Sequence, residues 1–338
     1  MKEAYLYKKL SNNKVQCQTC AHYCVIEEGK RGICGVRENK DGKLYSLVYG
    51  KACAINVDPI EKKPFFHFLP GSYSLSVATV GCNLSCKNCQ NWAISQGPKI
   101  FSKIEGDPVS PEKIVEIALK NKLPSISYTY TEPTVFLEYA LDTMKLAKKA
   151  GLKNNWVSNG FITKEAAELV IPYLDANNID IKSFSDEFYK SNCGARLQPV
   201  LDTAKLMKKS GVWVEITTLA IPGLSDSEKM FKEIANFIKN ELGPETPWHI
   251  GQFSGAISWK LQDIPDTPLS TLEKAYKIGK KAGLKYVYTG NVPGLESEDT
   301  FCPKCNTLCV DRMNYVVHRY DKNGHCPKCG ADLNIILN

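Results

Sequence analysis

The run Ser74-Leu-Ser-Val-Ala-Thr-Val80 passes through Gly81 into Cys82-Asn-Leu-Ser-Cys86-Lys-Asn-Cys89. The run is short, apolar and β-branched, which predicts a buried strand. Three cysteines then fall within eight residues of loop. Thiols this close cannot all pair with one another, and soft sulfur ligands select zinc, copper(I) or iron–sulfur clusters. Three is an informative number, because a [4Fe–4S] cluster held by three thiolates keeps one iron open. A set of buried cysteines, or part of a four-thiolate zinc site, is the alternative reading.

The chain has 338 residues, long enough for one large domain with appendages or for two domains. Its 43% hydrophobic and 23% charged residues are those of a globular protein. The opening MKEAYLYKKLSNNKVQ has no apolar core, and no stretch approaches ~18 uninterrupted apolar residues. A cytoplasmic location without membrane contact is expected, and 14 cysteines there argue for metals over disulfides. The formal charge of +7 omits bound thiolates. Two four-cysteine zinc sites at about −2 each and a three-thiolate cluster at about −1 bring it to about +2, which weakens any case for nucleic acid.

Before the run, Cys17-x2-Cys20-x3-Cys24-x9-Cys34 is a compact four-thiolate pattern, with Gly29, Gly32 and Gly35 as turns. Zinc and an auxiliary iron–sulfur cluster both fit it. His22 is a possible substitute ligand. Lys43–Tyr49 alternates as a strand, and Pro59–Pro70, with Phe65, Phe66, His67 and Phe68, reads as a packed connector closing one end of the domain.

Strands and helices alternate from Ser74 to about Asn291. Helices are expected over 111–121 behind Ser110 and Pro111, over 134–150, from Thr163, over 198–210, from a Ser225-x-x-Glu228 capping box to about Asn240, and from a Ser270-x-x-Glu273 box to Gly283. Strands are expected at 125–130, 156–158, 178–182, 212–218, 247–253 and 285–289. Units of ~30 residues imply parallel strands with right-handed crossovers. A barrel or partial barrel is favoured because no Gly-x-Gly-x-x-Gly turn follows a strand.

Chemistry in such barrels sits at the C-terminal strand ends. Polar residues gather there: the cysteine triplet, then Tyr130, Thr131 and Glu132, then Ser158 and Asn159, then Asp180 and Lys182, then Glu215 and Thr217, then His249 and Gln252. Cys193, followed by Gly194, falls in a strand-to-helix loop on the same side, where a thiol could return hydrogen to a substrate radical; a small buried apolar residue is the plainer reading. At the far end Cys302-x2-Cys305-x20-Cys326-x2-Cys329 is a zinc-ribbon pattern, with rubredoxin-like iron as runner-up and Cys309 and His325 spare. The domains expected are 1–70, Cys-rich; 71–298, barrel; and 299–338, knuckle.

With these residues in view, the chain resembles the radical S-adenosylmethionine (SAM) enzymes of the AmmeMemoRadiSam system, relatives of the pyruvate formate-lyase activating enzymes. The resemblance rests on His67-Phe-Leu-Pro-Gly71, Gly81-Cys-Asn-Leu84, Cys89-Gln-Asn-Trp92, Tyr128–Thr134, Asn178–Lys182, Gly211–Thr218, Ile221-Pro-Gly223, Tyr286–Asn291 and both cysteine-rich ends. It implies an α/β fold with a (β/α)6 partial TIM barrel, an oxidoreductase activity, a [4Fe–4S] cluster on Cys82, Cys86 and Cys89, and SAM. It further implies Tyr130, Thr131 and Glu132 at the methionyl amino group, Ser158 and Asn159 near the ribose, and Glu215 and Thr217 near sugar or adenine. Asp180, Lys182 and His249 would complete the cofactor site. An electron donor such as flavodoxin or ferredoxin and AMMECR-type and Memo-type proteins are the implied partners. Asn88 stands where the family has an aromatic residue, so Trp92 or backbone would meet adenine. Ser254-Gly-Ala-Ile-Ser-Trp259 departs from the family near the expected substrate face. A glycyl-radical-enzyme activase and a zinc-ribbon nucleic-acid-binding protein are the other readings.

Overall fold

The computed structural model describes residues 1–292, 296–313 and 315–337. Its centre is an eight-stranded sheet whose spatial order follows the chain. The edge strand β1 (Ala54–Pro59) runs antiparallel to β2 (Tyr73–Ala78). Parallel pairing then continues through β3 (Ser125–Tyr128), β4 (Lys153–Ser158), β5 (Ala176–Asp180), β6 (Trp213–Ala220), β7 (Trp248–Gln252) and β8 (Val287–Gly290). β1 and β8 are not paired to each other, so the barrel is partial. The 1–70 segment thus contributes the sheet's first strand as well as its own small sheets.

The helices between strands are α1 (Trp92–Phe101), α2 (Pro111–Lys120), α3 (Leu137–Lys149), α4 (Lys164–Val170), α5 (Leu197–Lys209), α6 (Glu228–Phe237) and α7 (Leu269–Ala282). Six strand–helix units and a closing strand result. Ser110 and Thr163 cap α2 and α4 as their sequences suggest. Two expected capping boxes are corrected. Ser227, not Ser225, caps α6 by accepting from Met230 N, while the Ser225 hydroxyl bonds Ile221 N and Leu219 O. α7 starts at Leu269 behind Pro268, with no side-chain cap, so Ser270 lies inside the helix.

The strand period divides the sheet cleanly. Leu75, Val77, Ile126, Tyr128, Trp156, Ile179, Val214, Ile216, Trp248 and Ile250 share the face that joins the large apolar core with the helices. The other face carries Ser74, Ser76, Ser127, Asn155, Asn178, Glu215, Thr217 and His249, matched by strand register. These polar groups bond one another: Ser74 Oγ to Ser127 Oγ at 2.6 Å, Ser127 Oγ to Asn155 Oδ1 at 2.6 Å, and Thr217 Oγ1 to Asn178 Oδ1 at 2.8 Å. The barrel is lined with hydrogen-bonding groups, an unusual filling for a merely structural interior.

The 60–70 connector closes the N-terminal end, as expected of its aromatic content. Asn178 Nδ2 donates to Pro64 O at 2.7 Å, and Phe66 N and His67 N donate to Glu215 at 3.0 and 2.9 Å. The C-terminal tail clamps the connector from outside. Leu69 N and Ile336 O bond at 2.8 Å, Ile336 N donates to His67 O at 2.7 Å, and Arg312 donates to Phe66 O at 2.8 Å.

Candidate active site

The cysteine triplet leaves the C-terminal end of β2, opposite that plug. Gly81 has φ +101, and a Cβ there would lie 2.6 Å from Val36 Cγ1, so only glycine fits the turn. α1 then anchors the loop. Pro98 lies inside α1 and has no N–H for the carbonyl four residues back. That carbonyl, Ile94 O, instead accepts from Gly81 N at 2.9 Å. Gln96 Nε2 and Lys99 Nζ both donate to Leu84 O, at 3.1 and 2.7 Å.

The sulfurs meet donors suited to thiolates. Leu84 N lies 3.4 Å from Cys82 Sγ, Asn159 Nδ2 lies 3.8 Å from it, and Ser95 Oγ lies 3.3 Å from Cys89 Sγ. Burial pushes the Cys82 and Cys89 thiols up, and the neighbouring Cys193 thiol together with burial does so for Cys86, so a metal that binds them must displace their protons. The residues fit a three-thiolate cluster: all ligands are soft, their sulfurs have hydrogen-bond donors, and they are not drawn together as around a single ion.

Beside Cys82 stands Glu132, buried at the start of a short helical turn. Its Oε1 accepts from Thr134 N, Thr134 Oγ1 and Ser158 Oγ at 3.0, 2.6 and 2.9 Å, and its Oε2 from Asn159 N at 2.8 Å. Burial raises its pKa against these four donors. Asn159 Nδ2 reaches Asn83 Oδ1 at 2.8 Å, so Glu132, Ser158, Asn159 and the triplet loop form one connected group. On the other side Lys182 Nζ donates to Asp180 Oδ2 at 2.8 Å. Burial alone would lower the lysine's pKa. Asp180 and the thiols of Cys86 and Cys193 outweigh it, and Lys182 stays protonated well above its usual range.

Other expected residues sit elsewhere. Tyr130 has φ +65 and turns its hydroxyl to Asp58 inside the barrel, away from the triplet. Thr131 Oγ1 donates to Thr79 O at 2.8 Å, a backbone anchor. Glu215 and His249 are corrected most firmly. The Glu215 carboxylate is fully occupied by Phe66 N, His67 N, Trp213 Nε1 and His249 Nε2, the last at 2.6 Å, and is 0% exposed. It bonds the plug rather than a site at the strand ends. Thr217, one pleat further along β6, is tied to Asn178.

Cys193 is not a free-standing thiol. It is 0% exposed, accepts from Asn192 Nδ2 at 3.7 Å, and lies within electrostatic reach of the Cys86 thiol. Its loop is zipped to the triplet loop by Ser85 N to Cys193 O at 2.8 Å and Lys87 N to Asn192 O at 3.0 Å. Asn192 Nδ2 donates to Asn88 Oδ1 at 2.9 Å, giving the non-aromatic Asn88 a partner. The variant segment near Trp259 also rests on this loop, since Lys260 N donates to Lys87 O at 2.8 Å.

Residues that sequence reading missed include Lys63 and Asp58. Lys63 Nζ donates to Asp58 at 2.6 Å and lies 4.2 Å from the Tyr130 ring centroid. Burial brings its pKa down to about 8. Nothing short of the tertiary fold marks this lysine among its neighbours in sequence.

The C-terminal four cysteines gather tightly. The sulfurs of Cys302, Cys305, Cys326 and Cys329 lie within 4.8 Å of one another, with pairs at 3.5 and 3.6 Å. Four sulfurs ~2.3 Å from a tetrahedral zinc stand about 3.8 Å apart. Cys302→Ser is expected to lose about one metal ion per chain and to loosen the tail that clamps the plug, read by metal analysis and by hydrogen exchange at residues 60–70. Unchanged metal content would contradict the assignment. Among the described residues no helix is long and apolar enough to cross a membrane.

The Radical SAM superfamily profile matches residues 76–238. An uncharacterized protein of Methanocaldococcus jannaschii is 46% identical over 340 residues, covering 100% of both chains. The pyruvate formate-lyase-activating enzyme of Clostridium pasteurianum is 26% identical over 198 residues, 54% of this chain and 80% of that enzyme. A crystallised domain of pyruvate-formate lyase-activating enzyme from Bacteroides vulgatus superposes with TM-score 0.43 at 17% identity, covering 49% of this chain and 98% of that one. Residues 76–238 are a radical SAM domain, with homology to the pyruvate formate-lyase-activating enzymes, and the chain is accordingly an enzyme.

Proposed function

We propose that Cys82, Cys86 and Cys89 hold the [4Fe–4S] cluster that a radical SAM domain implies, and that the chain binds SAM between this loop and the Glu132–Ser158–Asn159 group. When bound, the cluster supplies the electron that cleaves SAM to methionine and a 5′-deoxyadenosyl radical, which abstracts hydrogen from a substrate. The supporting observation is that Glu132 is buried, accepts from four donors and is joined through Asn159 to the Cys82 loop. Among the described residues its Oε2 accepts one bond, which leaves a lone pair for an ammonium. The Asp180–Lys182 pair would hold the opposite wall. Cys193, beside Cys86, would orient that sulfur by an S–H···S bond when iron binds it and the Cys86 proton is released to solvent, a positioning role in place of hydrogen return. The barrel is the catalytic domain, with the zinc knuckle at 299–338 as a structural clamp.

Reduction by dithionite under anaerobic conditions tests this reading: SAM is converted to 5′-deoxyadenosine and methionine, and its persistence would overturn it. Glu132→Gln is expected to weaken SAM binding. A charge-assisted hydrogen bond contributes roughly 1.5–3 kcal/mol, about 10- to 100-fold in affinity. Iron content should hold. Wild-type affinity in this variant removes the assigned contact.

A glycyl-radical-activating role, with a protein backbone glycine as substrate, is the second reading, favoured by the relative from Clostridium pasteurianum. AMMECR-type and Memo-type partners rest on the sequence resemblance. Recovery of a large partner with a glycine loop in a pull-down would select the activase.

A further inference from the structure

The geometry points to a second [4Fe–4S] cluster on Cys17, Cys20, Cys24 and Cys34, placed to hand single electrons to the site at Cys82, Cys86 and Cys89. The molecule carries its own standard for the comparison. Its C-terminal thiols stand at the spacing of one tetrahedral ion. Among the described residues no other set of three or more such side chains is gathered in that way. The N-terminal four nonetheless line a single cavity, together with Thr19, Arg37 and Val135. The triplet of the radical SAM domain is likewise not gathered within 4.8 Å. A cubane separates its thiolates because each binds a different iron, whereas zinc draws all four to one centre.

A second observation concerns charge. Arg37 lines the cavity, is 2% exposed, and forms a two-bond pair with buried Glu138 at 3.0 and 2.8 Å. Its Nε is buried without a hydrogen-bond partner. A buried donor of this kind is costly unless something accepts from it. An anionic sulfur cluster is such an acceptor, and Glu138 already balances the guanidinium charge.

Position supplies the role. The Cys34 carbonyl lies 3.2 Å from where a Gly81 Cβ would stand, next to Cys82. His22 Nε2, inside the N-terminal motif, hydrogen-bonds Asn83 O, inside the triplet, at 2.8 Å. Lys99 lies within electrostatic reach of both Cys34 and the triplet. On the outer side, Cys24 is partly exposed between Tyr23 and Val25, which are 41% and 55% exposed. A low-potential donor protein of the ferredoxin or flavodoxin class would lose one electron here. The N-terminal cluster gains that electron and loses it again to the triplet's cluster, with no atom transferred. The destination of the electron rests on the radical SAM reading; the metal assignment does not.

The test uses the full chain with Cys82, Cys86 and Cys89 all changed to Ala, reconstituted anaerobically. About four irons per chain and the paramagnetic signal of a reduced [4Fe–4S] cluster are expected, against about eight irons in the wild type. Zinc in their place, or no iron beyond trace, overturns the cluster. In Cys24→Ala, the ratio of flavodoxin-driven to dithionite-driven SAM cleavage should fall at least tenfold; an unchanged ratio overturns the relay. If the triplet-less protein keeps its iron while the wild type leaves SAM intact, the radical reading fails and the cluster stands.

Discussion

Cys86→Ala is expected to abolish SAM cleavage. Cys86 is the most deeply set of the triplet, and its sulfur lies within electrostatic reach of both Cys193 and Lys182. Removing it leaves two thiolates, too few to hold a cluster with a single open iron. Conversion of SAM to 5′-deoxyadenosine should drop to background and the cluster's visible absorption should fall, while the thermal midpoint of the apoprotein changes little. Cleavage retained in this variant would show that the triplet is not the ligand set. Cys193→Ala makes an informative partner. If its thiol bonds the ligand sulfur, the variant still cleaves SAM, with the midpoint potential of the cluster shifted. An unchanged potential reduces Cys193 to packing.

Glu215→Ala is expected to cost more stability than any other single change outside the metal ligands. The carboxylate accepts from two backbone N–H groups of the plug, from Trp213 Nε1, and pairs with His249. Burial would raise its pKa, but His249, His67 and the Phe66 N–H outweigh burial, and it titrates below the usual carboxylate range. Truncation strands these partners in a site sealed from water. Losing one side of a buried, hydrogen-bonded charge costs about 3–5 kcal/mol, a large share of a typical stability of about 5–15 kcal/mol. A thermal midpoint lowered by roughly 5–10 °C should follow. A loss under about 1 kcal/mol would mean that the plug is held by its aromatic packing alone.

The two variants mark what the sequence discloses and what it hides. The triplet, the parallel succession and the C-terminal knuckle are legible because each is a local pattern: a spacing, a period, a turn residue. α1 is not legible, since Gly97-Pro98 reads as a helix stop. It forms because the carbonyl that Pro98 frees has Gly81 as its partner. The Ser225 and Ser270 boxes match the capping pattern but lose to tertiary demand, with Ser225 claimed by the turn after β6. Glu215 and Glu132 look alike in sequence, as acids on or after strands. Glu215 sits mid-strand on the inner face, where the plug takes it, whereas Glu132 lies past the end of β3, where Ser158 and Asn159 converge. The contact between Cys193 and Cys86 joins residues that no local pattern connects.

Magnetic resonance of the reduced enzyme with isotopically labelled SAM tests the central claim most directly. The open iron left by Cys82, Cys86 and Cys89 should show a strong hyperfine coupling to the labelled methionyl nitrogen, and the coupling should vanish in Cys86→Ala. A wild-type spectrum of the reduced cluster that is unaltered by SAM would contradict the account.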